Sequence, residues 1–192
     1  TGRCTVVTST FATLYVNPLP IVNLTTSIPP DLLPTQVLTI TATVSPAGGT
    51  YVWRKNGTAI AGATGSTLSG LTVSDAGTYS VVYTDLNGCS STSSNIEVKA
   101  QVSGNLYVYP VPNRGVFNVR FYNQTGEAVT VRVFDAKGSE VYQRKSATTL
   151  PYTTINVDMT TRGILAAGVY VVEVRGADNR LIGTRKIIVH NN

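Results

Sequence analysis

One histidine, two cysteines and ten acidic residues are the side chains on which a metal site or a His- or carboxylate-based catalytic site could draw in these 192 residues. His190 stands third from the last position. A Ser-His-Asp relay needs its imidazole held between nucleophile and acid, so a histidine placed there argues against one. Cys4 and Cys89 are too few for a disulfide framework, and a structural zinc site needs about four ligands. A bridge between them in an oxidising compartment and two separate thiols both remain open, since the bridge requires Cα atoms within about 7 Å. Asp135 precedes a turn, where a carboxylate caps backbone N–H groups rather than working as a general acid. Gly62-Ala63-Thr64-Gly65 does not open a helix, so no phosphate cradle is expected there. No enzyme activity, metal or cofactor is therefore expected. The ten tyrosines mostly alternate into strands, and a surface row of them would suit glycan binding. Asn23-Leu24-Thr25, Asn56-Gly57-Thr58 and Asn123-Gln124-Thr125 match a glycosylation acceptor pattern that arises mostly by chance in a bacterial protein.

The elements that would position these residues are strands. Hydrophobic residues make up 42% and charged residues only 13%, with 17 Gly and 9 Pro, the balance of short strands joined by tight turns. No run approaches the roughly 18 apolar residues of a membrane span, and the first residues lack a signal peptide's charged and apolar regions. The chain is expected to start at a mature or internal position. Residues 1–100 hold four basic and four acidic residues, whereas residues 101–192 hold 11 basic and 6 acidic, so the whole excess of +5 lies in the second half. That excess could address nucleic acid or an anionic surface. Its arginines are scattered along strands, however, which favours an ordinary solvated β surface without nucleic acid.

Gly2-Arg3-Cys4-Thr5 and Asn87-Gly88-Cys89-Ser90 each lead into a Ser/Thr-rich run, a weak repeat. Residues 1–17 accordingly read as an edge strand or the tail of a preceding repeat. Asn17-Pro18-Leu19-Pro20 is a stiff linker. Strands are then predicted at IVNLTT, VLTITATVS, TYVWRKN, STLSGLTV, GTYSVVYTD and SNIEVKA, punctuated by Asn56-Gly57 and Asn87-Gly88. Leu38, Ile40, Ala42 and Val44 form one apolar face against Thr39, Thr41 and Thr43. Trp53, followed by Asp75-Ala76-Gly77-Thr78-Tyr79, resembles the immunoglobulin superfamily. There a core tryptophan packs beside an Asp-x-Gly-x-Tyr corner. Val81 stands where that family has its second cysteine, so aliphatic packing must close the sandwich. Residues 18–100 are assigned to this domain.

Gln101, Val102, Ser103, Gly104 and Asn105 form a polar boundary of residues 101–105. Beyond it, residues 106–192 give seven predicted strands: NLYVY, VFNVRFY, AVTVRVFD, SEVYQRK, TTINVDM, GVYVVEVR and RLIGTRKIIVH. The fold class is all-β, two tandem antiparallel β-sandwiches of immunoglobulin-like type.

Four motifs in order carry a second resemblance. Tyr109-Pro110-x-Pro112-x-x-Gly115-x-Phe117-x-Val119 opens the domain, and Val131-x-Val133-Phe134-Asp135-x-x-Gly138 follows. Leu165-Ala166-Ala167-Gly168-Val169-Tyr170 and a terminal Lys186-Ile187-Ile188-Val189 complete the set. The set is similar to the type A C-terminal sorting domain of the type-nine secretion system of Bacteroidota. Val111 stands where that family usually has asparagine, with Asn113 just after the second proline, so a turn hydrogen bond is expected to be lost or moved. The resemblance implies transport: passage through an outer-membrane translocon, a barrel shuttle, and a surface sortase that cuts near residues 101–105 and commonly joins the cargo to anionic lipopolysaccharide. It implies a secreted, cell-surface destination. Arg185 and Lys186 are the expected recognised edge, with edge-blunting by a basic residue as the plain alternative. A tandem adhesin or carbohydrate-binding array is the rival reading of the whole chain.

Overall fold

A computed structural model describes residues 16–162 and 165–190. The expected edge strand of residues 1–17 lies almost wholly outside them, and so does Cys4; residues 16–20 carry no regular structure.

The first half folds into β1 (Ile21–Thr26), β2 (Asp31–Leu32), β3 (Leu38–Ser45), β4 (Thr50–Lys55), β5 (Thr58–Ala59), β6 (Thr67–Leu71), β7 (Gly77–Thr84), β8 (Ser90–Thr92) and β9 (Ile96–Ala100). One sheet runs β1-β3-β6; the other runs β2-β9-β7-β4-β5, with β8 also on β7. Period-two alternation places Leu38, Ile40 and Ala42 inside. Trp53, fully buried, pairs in register with Val81, also fully buried. The indole has an apolar body and one donor, and that donor is satisfied: Nε1–H donates to the Gly65 carbonyl at 2.8 Å. Aliphatic side chains thus occupy the centre of the sandwich at Val81.

Two features depart from the periodicity reading. The run expected as one strand through Val73 stops at Leu71, and Val73–Asp75 is a 3₁₀ turn. Thr72 and Asp75 explain the stop. Thr72 Oγ1 accepts from Ser74 N–H at 3.3 Å, and Asp75 Oδ2 accepts from Thr72 N–H at 3.0 Å, a reciprocal cap that competes with strand pairing. The two-residue strands β2 and β5 are too short to carry any alternation. β2 pairs parallel to β9.

The second half forms β10 (Tyr107–Tyr109), β11 (Val116–Tyr122), β12 (Val129–Phe134), β13 (Glu140–Ser146), β14 (Tyr152–Asp158), β15 (Gly168–Arg175) and β16 (Leu181–Val189). The sheets are β10-β11-β14 and β13-β12-β15-β16. Phe117, Val119 and Phe121 of β11 face Val129, Val131 and Val133 of β12 across one buried cluster with Val172, Val174 and Ile187. All pairings in this domain's sheets are antiparallel.

The outer face of β10-β11-β14 is packed against the first domain. Tyr152 belongs to the first domain's buried cluster, with Tyr107 and Tyr122 packed on it. Tyr122 and Tyr152 meet edge to face at 5.3 Å, and the Arg120 guanidinium lies 5.8 Å from the Tyr152 ring centre. Arg120 Nη2 donates to Ser74 Oγ at 2.8 Å. Among the described residues, no helix is long and apolar enough to cross a membrane.

Candidate recognition surface

The opening motif and the terminal strand occupy one place. Past β10, Pro110 and Pro112 withhold two backbone donors, so the chain leaves the ladder. Asn113 then turns inward and is buried. Its Oδ1 accepts from Gly115 N–H at 2.8 Å, and its Nδ2 donates to the Pro110 carbonyl at 3.3 Å. The turn's side-chain bonds are therefore made by Asn113, while Val111 is exposed. Asn113 N–H also donates to the Ile188 carbonyl at 3.0 Å, and its carbonyl accepts from His190 N–H at 2.9 Å, an isolated parallel bridge to β16. His190 contributes its backbone here.

Gly115 is the one position in this turn where glycine is required. Its φ is +94°, and a Cβ would stand 2.8 Å from Leu165 Cδ2. Its carbonyl accepts from Met159 N–H at 2.9 Å, which ties the turn to the end of β14. Phe117, two residues on, is buried in the core.

Asp135 and Gly138 close the β12–β13 hairpin. Asp135 Oδ1 accepts from Lys137 N–H and Ser139 N–H, both at 2.8 Å, and Gly138 takes φ +84°. A carboxylate occupied by two amides of its own turn is a structural cap. Asp85 makes the same turn before Cys89, accepting from Asn87 N–H at 2.8 Å and Cys89 N–H at 2.9 Å. Cys89 is half-buried. Its partner candidate Cys4 is outside the described residues.

Gly168 and Tyr170 belong to a corner that the sequence reading named only in the first domain. Tyr79 O–H donates to the Asp75 carbonyl at 2.6 Å, and Tyr170 O–H donates to the Ala166 carbonyl at 2.8 Å. Each hydroxyl reaches back four residues across an Ala-Gly-x-Tyr stretch. Gly77 and Gly168 occupy equivalent places; Gly77 has φ +153°. Burial pushes the Tyr79 phenol up from its ordinary value.

Arg185 and Lys186 lie on β16, the outer strand of its sheet. Their faces differ: Arg185 pairs with buried Val172, Lys186 with half-buried Val171. Both are exposed, and among the described residues no carboxylate pairs with either. Other charges of this domain are neutralised on the outer face of the four-stranded sheet. There Glu173 sits 2.6 Å from Arg175 and 3.6 Å from Arg132, while Arg132 also meets Glu140 at 2.5 Å. The Arg175 hydrogen bond, chiefly, holds the Glu173 carboxyl below the usual range.

The boundary residues Gln101, Val102, Ser103, Gly104 and Asn105 have no regular structure, and all but Ser103 are exposed. Their start is fixed. Gln101 N–H donates to the Leu32 carbonyl and its carbonyl accepts from Tyr152 O–H, each at 2.8 Å. Tyr152, Arg120, Tyr107 and Tyr122 were not singled out from the sequence. Alternation placed them on an outer face, and nothing in a strand pattern says that another domain covers it. Tyr109 alone among the described tyrosines is a large exposed side chain, so no solvent-facing tyrosine row exists there for a glycan. No group of three or more metal-ligating side chains occurs among the described residues.

Residues 107–190 match the family described as "Secretion system C-terminal sorting domain". No curated protein matches the chain. Among solved structures, the three N-terminal domains of the bacteriophage RB49 highly immunogenic outer capsid protein match at 16% identity and TM-score 0.40, covering 90% of this chain and 59% of that one. The human OSCAR ligand-binding domain matches at 15% identity and TM-score 0.34, over 90% and 98% of the two chains. A tetra-tandem repeat from the extending region of a large adhesion protein matches at 13% identity and TM-score 0.35, over 90% and 50%. The chain thus spans 59% of the first of these.

Proposed function

We propose that this chain, whose second domain belongs to the secretion-system C-terminal sorting domain family and follows an immunoglobulin-like domain, is the non-catalytic sorting end of an exported protein. The sorting domain is the type-nine secretion signal, read by an outer-membrane translocon, a barrel shuttle and a surface sortase. The immunoglobulin-like domain is a spacer or adhesive module. The reading is carried by the family match over residues 107–190, in a domain whose opening motif is hydrogen-bonded to its terminal strand. Recognition by a strand edge suits β16, an outer strand with two unpaired basic side chains, Arg185 and Lys186. Cleavage falls within residues 101–105, a mostly exposed stretch without regular structure beyond its first residue, and anionic lipopolysaccharide is the expected acceptor.

Deleting residues 106–192 from the full-length exported protein tests the sorting role. Accumulation of the upstream part in the periplasm is expected. Undiminished arrival at the cell surface would overturn it and leave the tandem adhesive array as the better account.

A further inference from the structure

A cleft of about 610 Å³ opens at the junction of the two domains, within the size range of ligand sites. Pro34 and Thr35 form the wall from the first domain; the consecutive stretch 105–109, Arg120 and Arg185 form the rest. Three properties of this lining bear on what could occupy it.

The first is main chain. β10 is the outer strand of its sheet, pairing only with β11. No backbone hydrogen bond of residues 106–109 to a described residue lies outside that ladder. In an antiparallel ladder alternate residues direct both N–H and C=O away from the partner, so β10 offers free donors and acceptors. The second is charge, because the lining has two guanidinium groups and no carboxylate. Arg185 makes no ion pair with a described residue and is the free charge of the lining, while Arg120, held through Nη2 by Ser74 and with its Nε buried, adds to the positive field. The third is shape. Pro34 withholds one backbone donor from the facing wall, while Tyr107 and Tyr109 give amphipathic flanks.

We propose that this cleft binds an acidic peptide in extended conformation, added as a strand to β10, with a carboxylate facing Arg120 and Arg185. A free small anion would use the guanidinium groups but not the row of main chain. The occupant that satisfies both is a strand carrying Asp or Glu, bound by β-augmentation with a charge-assisted contact. The site stands independently of the sorting role.

Fluorescence anisotropy on the full chain at low salt, with a fluorescein-labelled peptide TVEVTV, tests this. Saturable binding is expected, weakened about tenfold by the TVQVTV peptide and by Arg185→Gln, the loss of one charge-assisted contact. Slowed hydrogen exchange at Tyr107–Tyr109 in the presence of TVEVTV is expected as well. Arg185 is exposed, so unchanged thermal unfolding of Arg185→Gln is expected to show that it folds. No saturation up to about 1 mM peptide, equal binding of TVQVTV, or competition by acetate at the same concentration as unlabelled peptide would each overturn the proposal.

Discussion

Asn113 and His190, 77 positions apart in sequence, are joined through the backbone: His190 N–H donates to the Asn113 carbonyl at 2.9 Å. Asn113 N–H donates in turn to Ile188 at 3.0 Å. The proline turn that opens the second domain and the strand β16 are therefore one piece of structure. Disturbing either should disturb the other.

Asn113→Ala removes an acceptor for Gly115 N–H and a donor to Pro110 in a buried site. Leaving a buried group unpaired costs about 1–3 kcal/mol. Urea unfolding should show that loss as a lower midpoint with little change in slope. Asn113→Asp keeps the acceptor for Gly115 N–H but buries a carboxylate with one oxygen against the Pro110 carbonyl, so at neutral pH it should be at least as damaging as Asn113→Ala; equal stability of all three proteins would refute the account of the turn.

Gly115→Ala should be at least as damaging. The new Cβ meets Leu165 Cδ2 at 2.8 Å, and φ +94° is costly for an L side chain, about 1–3 kcal/mol for such a residue. Thermal unfolding of the full chain checks it. Gly138→Ala provides the comparison: it has a similar φ of +84° but nothing within 4 Å of a Cβ, so it isolates the backbone contribution.

Tyr79→Phe and Tyr170→Phe delete the same kind of bond in different domains. Each hydroxyl donates to a carbonyl four residues back, and each loss should cost about 0.5–1.5 kcal/mol. Followed by hydrogen exchange, Tyr79→Phe should weaken protection mainly in β3, β4 and β7. Tyr170→Phe should weaken it mainly in β12, β15 and β16. Uniform loss across both halves would mean that the domains unfold as one unit.

Strands β11, β12 and β15 of the second domain were legible because each carries a clean two-residue period: in β12, Val129, Val131 and Val133 are all buried, with Thr130 and Arg132 between them half-buried. The core of the first domain was legible from Trp53 and Tyr79 because so large a side chain or so specific a corner has few other uses. The corner at Tyr170 was hidden because Ala166 stands where the first corner has Asp75, and the accepting backbone carbonyl itself has no sequence signature. β2 and β5 were hidden by being two residues long. The domain contact was hidden for another reason. Tyr107, Arg120, Tyr122 and Tyr152 occupy outward positions, and whether such a face meets water or protein is decided by a partner far away in sequence. Arg185 and Lys186 were read as one edge, yet successive strand residues face opposite ways.

Acid should destabilise the four-stranded sheet of the second domain. Arg175 and Arg132 hold the Glu173 carboxyl below its ordinary value. A depressed carboxyl contributes stability that is complete above the ordinary range near pH 4.3 and lost as pH falls through the folded value. Asp158 shifts the same way, by hydrogen bonds from Thr160. The urea midpoint should thus hold from neutral pH to about pH 5 and fall below it. Glu173→Gln should lower the midpoint at neutral pH and flatten part of the acid slope; an unchanged slope would remove Glu173 from the explanation.

The boundary stretch should be protected at one end by the domain contact. Gln101 is held between Leu32 and the Tyr152 hydroxyl, whereas Val102, Gly104 and Asn105 are exposed. A protease must draw several consecutive residues into an extended form, so cutting requires Gln101 to release as well. Tyr152→Phe removes one hydrogen bond worth about 1 kcal/mol and keeps the ring against Tyr122. When opening is fast relative to cleavage, the rate follows the open population, which rises about fivefold for that energy. Limited proteolysis at low protease concentration should therefore cut Tyr152→Phe about fivefold faster within residues 101–105, while global stability falls by no more than about 1 kcal/mol. Arg120→Ala, which loses both the Ser74 bond and the cation over Tyr152, should accelerate it further. Equal rates for all three proteins would show that the stretch is already open while the domains remain in contact.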